Sequence, residues 1–251
     1  MLRFEFKLHL PTLVQDMWTI LLDIDGTLLR TKGAGLAAIK QAVEELFGEE
    51  IELPKISVHG RTDAGIMADL LEGQTFDWSN RLPEIFECYC KHLKTRIGDF
   101  EGCVYPGAVE FLTELWRRKN ASEQANQGVA IGLLTGNCKQ AAYVKIEHFE
   151  LQSYVEEFGG FGDVHPDRND VAASAKSSAQ AFLGERFDEN KVWVIGDTAN
   201  DIRCARWIGA KVVAVATGGS SFDDLAAHNP DICVQDLAGD SLVDQLLDWD
   251  A

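Results

Sequence analysis

The feature that most constrains the fold of this chain is a short acidic turn placed directly after an apolar run. Residues 18–22 read Trp-Thr-Ile-Leu-Leu, and residues 23–27 read Asp-Ile-Asp-Gly-Thr. An apolar run that meets a glycine turn is typical of a buried strand. Because side chains alternate along an extended segment, Asp23 and Asp25 should point the same way. Two adjacent carboxylates repel unless a cation or a shared proton lies between them, so the stretch predicts an Mg²⁺ site at a strand end. An Asp-Gly pair alone is also a common turn, but a turn leaves the second Asp unexplained.

The composition limits the kinds of partner that the chain can bind. The chain has 251 residues, 46% of them hydrophobic, and a formal net charge of −17 at pH 7. This hydrophobic fraction is that of a globular protein with a core, and the length suits one large or two small domains. The negative charge argues against nucleic acid and against an anionic membrane surface as partners. An anionic substrate would therefore need local positive charge from a metal, from Lys or Arg, or from a helix N-terminus.

The apolar and cysteine patterns favour a cytoplasmic protein. No run approaches about 18 apolar residues, and the N-terminus lacks the apolar core of a signal peptide. The six cysteines include no CxxC pair, so we expect reduced thiols. Residues 3–10 alternate charged and apolar side chains, which makes the N-terminal extension, 1–16, either an added edge strand or a disordered segment.

The remaining chain divides into a helical block and a block in which strands alternate with helices. Helical spacing of apolar residues, without a strand signal, marks the segments 36–47, 62–72 and 83–97. Short apolar runs that alternate with helices follow at 129–134, 154–158, 192–195, 212–215 and 232–234. This alternation predicts an α/β fold, a Rossmann-like parallel sheet with helices on both faces. We expect a core of residues 17–33 and 104–251, with 34–103 inserted as a small all-helical cap.

Polar and acidic residues follow two further predicted strands. The run at 129–134 ends in Thr135, Gly136 and Asn137, and the run at 192–195 is followed by Asp197 and Asp201. Ligands of open parallel sheets bind beyond the carboxyl ends of the strands. Each group alone is compatible with a helix cap or a turn, but their recurrence at equivalent strand ends favours one shared site.

These motifs resemble those of the haloacid dehalogenase superfamily of phosphotransferases. Residues 23–27 match its first motif, DxDGT, and the apolar strand that ends in Thr135 matches its second. Its fourth motif, GDxxxD, is matched by residues 196–201. The helical insert resembles the cap of the phosphoglycolate phosphatase-like branch, and the resemblance covers about residues 17–250. It implies a phosphatase with a Mg²⁺ cofactor.

The third motif departs from the usual pattern of that family. The family normally has a Lys there, whereas the corresponding stretch here runs from His165 to Asp170 and contains Arg168. An Arg could neutralise a phosphate and brace the first Asp, and it stays charged. We assign the role to Arg168, with Lys176 as the fallback and Lys139 as a weaker alternative.

The resemblance implies a role for each matched residue. Asp23 would be the nucleophile that forms an aspartyl-phosphate, and Asp25 would be the general acid and then the general base. The predicted metal ligands are Asp23, Asp25 through its backbone carbonyl, Asp197 and Asp201. Thr135 would assist by holding phosphoryl oxygens, and the further predicted phosphate-binding residues are Gly26, Thr27, Gly136 and Asn137.

Substrate choice is expected to lie in the cap. The stretch 59–63 resembles the cap loop that reaches the active site in this branch, and its Arg61 could hold a carboxylate or a second phosphate. Thr62 and Asp63 could instead simply cap a helix beside a solvated Arg61. We expect cap closure about hinges near 31–35 and 101–104 to exclude water.

Other functions use the same residues. The resemblance implies hydrolysis of a small, phosphoglycolate-like phosphate monoester, and we expect a monomer or homodimer. A β-phosphoglucomutase-like sugar-phosphate mutase, a pyrophosphatase and an inactive binding protein of the same fold remain alternatives, the last because the third-motif Lys is missing.

Overall fold

The computed structural model describes residues 16–48, 54–74, 78–121, 128–239 and 241–248. The strands in these ranges are β1 (Met17–Leu22), β2 (Leu29–Arg30), β3 (Cys103–Val104), β4 (Gly128–Leu134), β5 (Gly159–Gly160), β6 (Phe187–Gly196), β7 (Lys211–Val215) and β8 (Ile232–Val234). The helices are α1 (Ala34–Phe47), α2 (Asp63–Leu71), α3 (Leu82–Arg96), α4 (Ala108–Ala121), α5 (Lys139–His148), α6 (Arg168–Leu183), α7 (Ala199–Trp207), α8 (Phe222–Ala226) and α9 (Leu242–Leu247). The N-terminal segment considered as an edge strand, 3–10, lies outside the described residues. In the described part of the chain, every helix falls short of what a membrane span requires.

Six of these strands form one parallel sheet in the order β5-β4-β1-β6-β7-β8. β1 lies at its centre, with Ile20 opposite Ile131 of β4 and Trp193 of β6. All six residues of β1 are buried, as expected for a strand covered on both faces. The predicted α/β fold with a Rossmann-like sheet is therefore confirmed.

Alternating side chains of β1 supply two apolar cores, one on each face of the sheet. Ile20 and Leu22 belong to a core shared with α4, α5 and α9, whereas Leu21 belongs to a core shared with α6, α7 and α8. The period of two along a strand produces this division. Because both cores hold β1, its carboxyl end is fixed in position.

Helices α1, α2 and α3 form a third apolar cluster, which also includes Cys138 and Ala141 at the start of α5. The chain leaves and re-enters the sheet domain through an antiparallel ribbon, in which Leu29 of β2 pairs with Val104 of β3. The ribbon therefore places the helical block above the end of β1. The division into a core and a movable cap of residues 34–103 stays a prediction.

One predicted strand is wrong. The segment 154–158 does not form a regular strand, because its first residue belongs to a 3₁₀ turn at Gln152–Tyr154 and the edge strand is the glycine pair Gly159–Gly160. Glu156 holds this segment beside β4, because its carboxylate accepts the backbone N–H of Ile131 at 2.8 Å. A Cβ at Gly159 would collide with the carbonyl of Leu133, so the apolar residues before it cannot take its place in the sheet.

Candidate active site

A cavity of about 510 Å³ lies at the carboxyl ends of β1 and β4, below the helical block. The sequence-predicted site residues that line it are Asp23, Asp25, Gly26, Arg61, Thr135, Gly136, Asn137 and Arg168. The remaining three, Thr27, Asp197 and Asp201, contact these residues or one another from the sheet side. All eleven predicted residues therefore gather at one edge of the sheet.

Three buried carboxylates form the most acidic part of this site. The nearest oxygens of Asp23, Asp197 and Asp201 all lie within 4.8 Å of one another. Burial raises the pKa of Asp23 to about 6, although Arg168 opposes the shift. Burial, and then the charge of Asp23, raises the pKa of Asp197 to about 8.

The surroundings of Asp197 fit a bound cation. Among the described residues, its buried Oδ2 has no hydrogen-bond partner, whereas Oδ1 accepts the hydroxyl of Thr27 at 3.2 Å. A Cβ at Gly26, whose φ is +95°, or at Gly218 would collide with this carboxylate. The unpartnered Asp197 oxygen lies close to two glycines and to the carboxylates of Asp23 and Asp201. These oxygens together form a set of ligands that suits a hard divalent cation.

Arg168, the first residue of α6, fills the position assigned to the third motif. Its Nη2 lies 2.9 Å from Asp23 Oδ1 and 2.5 Å from Asp201 Oδ1, and it also donates to the carbonyl of Leu134 at 3.3 Å. Burial alone would lower the pKa of Arg168, but Asp201 and Asp23 outweigh burial and raise it. Arg168 therefore stays charged against the first Asp.

The two fallback lysines lie elsewhere. Lys176 donates to the carbonyl of Ile208 at 3.0 Å, and Lys139 Nζ lies 5.7 Å above the ring of Phe161. The geometry therefore favours Arg168 over both.

Asp201 uses both oxygens within the protein. Oδ1 accepts from Arg168, and Oδ2 accepts the backbone N–H and the hydroxyl of Thr198 at 3.0 and 2.6 Å. Thr198 in turn accepts the backbone N–H of Asp201, which completes a capping box at the start of α7. Asp201 thus holds Arg168 and the helix start together, and a metal would have to compete with these bonds.

Asn137 connects the acid Asp25 with Thr135. Its Nδ2 donates to Asp25 Oδ2 and to Thr135 Oγ1, each at 2.8 Å. The Thr135 hydroxyl accepts this bond, so its own proton remains available to an oxygen in the cavity. Asn137, predicted to bind phosphate, thus orients two other site residues.

Sequence reasoning missed Lys145. Its Nζ lies 2.5 Å from Asp25 Oδ2 and 2.5 Å from Asn137 Oδ1, and the residue is only 4% exposed. Burial alone would lower the pKa of Lys145, but Asp25 and Asp63 outweigh it and raise the pKa. A signal was present, since Lys145 falls on the same helical stripe as Ala141, Ala142 and Ile146, where an apolar residue is expected.

Arg61, which precedes α2, is bonded to residues of that helix. Its Nη1 is paired with the carboxylate of Asp69, and its Nη2 donates to the carbonyl of Gly65 at 3.2 Å. The Arg61 side chain remains 32% exposed and lines the cavity. Its role in holding a substrate anion stays a prediction.

The loop before α2, residues 59–65, is bonded to the sheet domain by its backbone. The N–H groups of Asp63 and Ala64 donate to the carbonyls of Gly136 and Gly162 at 2.7 and 2.9 Å. From the other side, Asn200 donates to the carbonyl of Gly60 at 2.8 Å. Through this loop, the helical block therefore contacts residues of the second and fourth motifs.

The family model for haloacid dehalogenase-like hydrolases matches residues 20–215. The chain belongs to this family. The match runs from β1 through β7, so it includes every residue that the sequence placed in the site. The predicted family is confirmed.

Related proteins agree with this assignment. A phosphoglycolate phosphatase from Vibrio parahaemolyticus is 24% identical over 232 residues, which cover 89% of this chain and 94% of that protein. The structure of a protein described as a predicted phosphatase from Clostridium acetobutylicum is 19% identical with a TM-score of 0.62, covering 94% of this chain and 98% of that one. A candidate beta-phosphoglucomutase from Thermotoga maritima is 16% identical with a TM-score of 0.54, covering 93% and 98%. At these identities the two structures show the fold alone.

Proposed function

We propose that this haloacid dehalogenase-like hydrolase is a Mg²⁺-dependent phosphatase that hydrolyses a small phosphate monoester through an aspartyl-phosphate. One observation carries the proposal. Asp23 and Asp25 both line the same cavity, Asp23 paired with Arg168 and Asp25 with Lys145 and Asn137. Two carboxylates in different surroundings suit two different chemical roles.

In the first half of the reaction, Asp23 attacks phosphorus. Its Oδ1 is bound by Arg168, which leaves Oδ2 to form the new P–O bond. The bond between phosphorus and the leaving oxygen breaks, and Asp25 gives that oxygen a proton. In the second half, Asp25 takes a proton from water as the water attacks phosphorus, and Asp23 is released as a carboxylate. Thr135, with its free proton, would hold a phosphoryl oxygen.

The metal would be held by Asp197, Asp23 and the backbone carbonyl of Asp25, with Asp201 reaching it directly or through water. Asp197 Oδ2 supports this assignment because, among the described residues, it is buried without a partner. When bound, Mg²⁺ supplies positive charge that offsets the acids and the phosphate.

The substrate is proposed to be phosphoglycolate-like. A cavity of about 510 Å³ suits a small ester, and Arg30, Lys32 and His59 add basic groups to its lining. The relative from Vibrio parahaemolyticus carries the name phosphoglycolate phosphatase, which supports this substrate class. The net charge of −17 favours a small-molecule partner over nucleic acid or a membrane, and cytoplasmic location and a monomeric or dimeric state stay predictions.

Phosphate release tests the proposal. We would assay phosphoglycolate, hexose phosphates and pyrophosphate with Mg²⁺ and with EDTA, in the natural chain and in Asp23→Asn. We expect Mg²⁺-dependent release from a preferred monoester and a loss of more than about 10³-fold in Asp23→Asn with an unchanged circular dichroism spectrum. Full activity in Asp23→Asn would exclude the covalent mechanism. Transfer of phosphate between sugar hydroxyls with little release would indicate the mutase, and preference for pyrophosphate would change the substrate class.

A further inference from the structure

Lys145 brings a buried ammonium group to the acid–base candidate. It lies in the seventh position of α5, and its side chain is 5% exposed. A buried ammonium is costly unless it is paired and hydrogen-bonded. Both bonding partners of its Nζ, Asp25 and Asn137, line the cavity, so the group belongs to the site rather than to the apolar core of α5.

The bonds around Asp25 distinguish its two oxygens. Lys145 Nζ and Asn137 Nδ2 both donate to Oδ2, at 2.5 and 2.8 Å. Asn137 is itself fixed, since its Oδ1 accepts from Lys145 and its Nδ2 also reaches Thr135. Two donors on one oxygen restrict rotation of the carboxyl group, and Oδ1 is left to face a substrate.

We propose that Lys145 is a positioning residue that holds Asp25 so that Oδ1 exchanges the proton with the leaving oxygen. This inference rests on the proposed phosphatase function. It assigns to α5 a role in the reaction that the matched motifs do not include. Asn137 acts with Lys145, because the same two side chains close a ring of hydrogen bonds with Asp25.

The geometry favours this role over direct binding of a substrate anion. Lys145 Nζ is engaged by two oxygens at 2.5 Å, and a substrate carboxylate would have to displace one of them. Arg30 and Lys32 also line the cavity and are exposed, so a substrate anion can reach them at a lower desolvation cost.

The experiment compares two esters whose leaving groups differ in their need for a proton. Phosphoglycolate releases a basic alkoxide, whereas p-nitrophenyl phosphate releases a weakly basic phenolate that departs unprotonated. We would measure kcat/KM, which reports the steps through loss of the leaving group, for the natural chain, Lys145→Met and Lys145→Gln. We expect Lys145→Met to lose about 10- to 100-fold on phosphoglycolate and less than about threefold on p-nitrophenyl phosphate, since general acid catalysis is worth about 10²–10⁴-fold. Lys145→Gln, which keeps a donor, should recover part of the loss.

A double-mutant cycle tests whether Lys145 acts through Asp25. In the Asp25→Asn background, Lys145→Met should cause no further loss on phosphoglycolate, the ester on which the single change has a large effect. Lys176→Met is the matched control, because Lys176 is also a helix lysine bonded to a carbonyl but lies away from the cavity.

Three outcomes would overturn the inference. The first is an equal loss of kcat/KM on both esters in Lys145→Met. The second is that Lys145→Met causes its full loss also in the Asp25→Asn background. The third is an effect of Lys145→Met limited to a rise in KM for phosphoglycolate, which would make Lys145 a binding residue. Thermal melts separate these outcomes from misfolding, and Lys145→Gln still decides the matter if Lys145→Met does not fold. A natural chain that hydrolyses neither ester nor any other ester of the panel would instead refute the proposed function, and the inference with it.

Discussion

Arg168 is the residue on which the charge balance of the site depends. One nitrogen, Nη2, contacts both Asp23 and Asp201, and the side chain is 3% exposed. An ammonium could replace that single nitrogen, but a lysine side chain is shorter than that of arginine and differs in shape. The guanidinium also approaches Gly136, where a Cβ would lie 3.0 Å from Nη1. Arg168 therefore reaches both carboxylates from the start of α6 through one nitrogen.

We predict that Arg168→Met loses about 3 kcal/mol of unfolding free energy, because removing one partner of a buried ion pair leaves the other charge uncompensated. Phosphate release should fall by at least about 100-fold, since Asp23 loses the group that fixes it. Arg168→Lys should retain the fold and part of the activity. Urea unfolding and steady-state kinetics measure both effects.

The control for this prediction is Arg186→Met, at an exposed residue in the turn before β6. It should leave both quantities unchanged. Activity and stability close to those of the natural chain in Arg168→Met would show that Arg168 does not serve as the third motif.

At the scale of elements, the ends of the central strands could be predicted from the sequence, whereas the contacts between neighbouring elements could not. Apolar runs before Asp23, Thr135 and Asp197 predicted β1, β4 and β6, because burial on both faces leaves a continuous apolar signature. The glycine pair of β5 carries no such signature, since its place depends on close approach to β4. Lys145 was missed for a different reason: a lysine on a helix is usually solvated, and its place on the buried stripe of α5 was the one sequence signal against that expectation.

The hydrogen bonds that cap α7 at its N-terminus also connect this helix to the candidate active site. Thr198 accepts the N–H of Asp201 and donates its hydroxyl to the Asp201 carboxylate, which in turn holds Arg168. Thr198→Ala should cost about 1 kcal/mol, as is usual for loss of an N-cap. It should also lower kcat severalfold because Asp201 is released, an effect that an ordinary helix cap would not have.

Thr198→Ser keeps the hydroxyl and is the matched control for this change. Chemical unfolding gives the stability and steady-state kinetics give kcat. A loss of stability in Thr198→Ala with kcat unchanged would show that Thr198 caps the helix but does not contribute to catalysis.

At the scale of the whole molecule, the sheet concentrates negative charge where the strands end. The chain already carries a net charge of −17, and three buried carboxylates face one another at the end of β1 and β6. Arg168 neutralises one of them. The fold therefore stores an electrostatic cost at this edge, which protons relieve at low pH and which the proposed divalent cation would relieve at high pH.

The sign of the resulting pH dependence follows from the raised pKa values. Burial raises the pKa of Asp23 to about 6 and that of Asp197 to about 8, whereas both are about 3.9 in an unfolded chain. Between about pH 4 and pH 8 the folded chain thus holds protons that the unfolded chain releases, so without metal these groups make the protein less stable as the pH rises. Below about pH 4 both states are protonated and the effect disappears.

Mg²⁺ should therefore stabilise the chain more at pH 8 than at pH 5, because at pH 5 it must displace these protons. A concentration of about 100 times Kd adds about 2.7 kcal/mol, which for a chain of this size raises Tm by about 5–10 °C. Thermal melts with Mg²⁺, and with NaCl at equal ionic strength, measure the shift without any assay of activity. Asp197→Asn should abolish it, whereas Asp244→Asn, at an exposed acid of α9, should leave it intact. A Mg²⁺-induced rise in Tm that is equal at both pH values, or that survives in Asp197→Asn, would place the cation away from this cluster. The reason is that a cation bound by Asp23 and Asp197 must displace their protons, so its binding has to weaken as the pH falls.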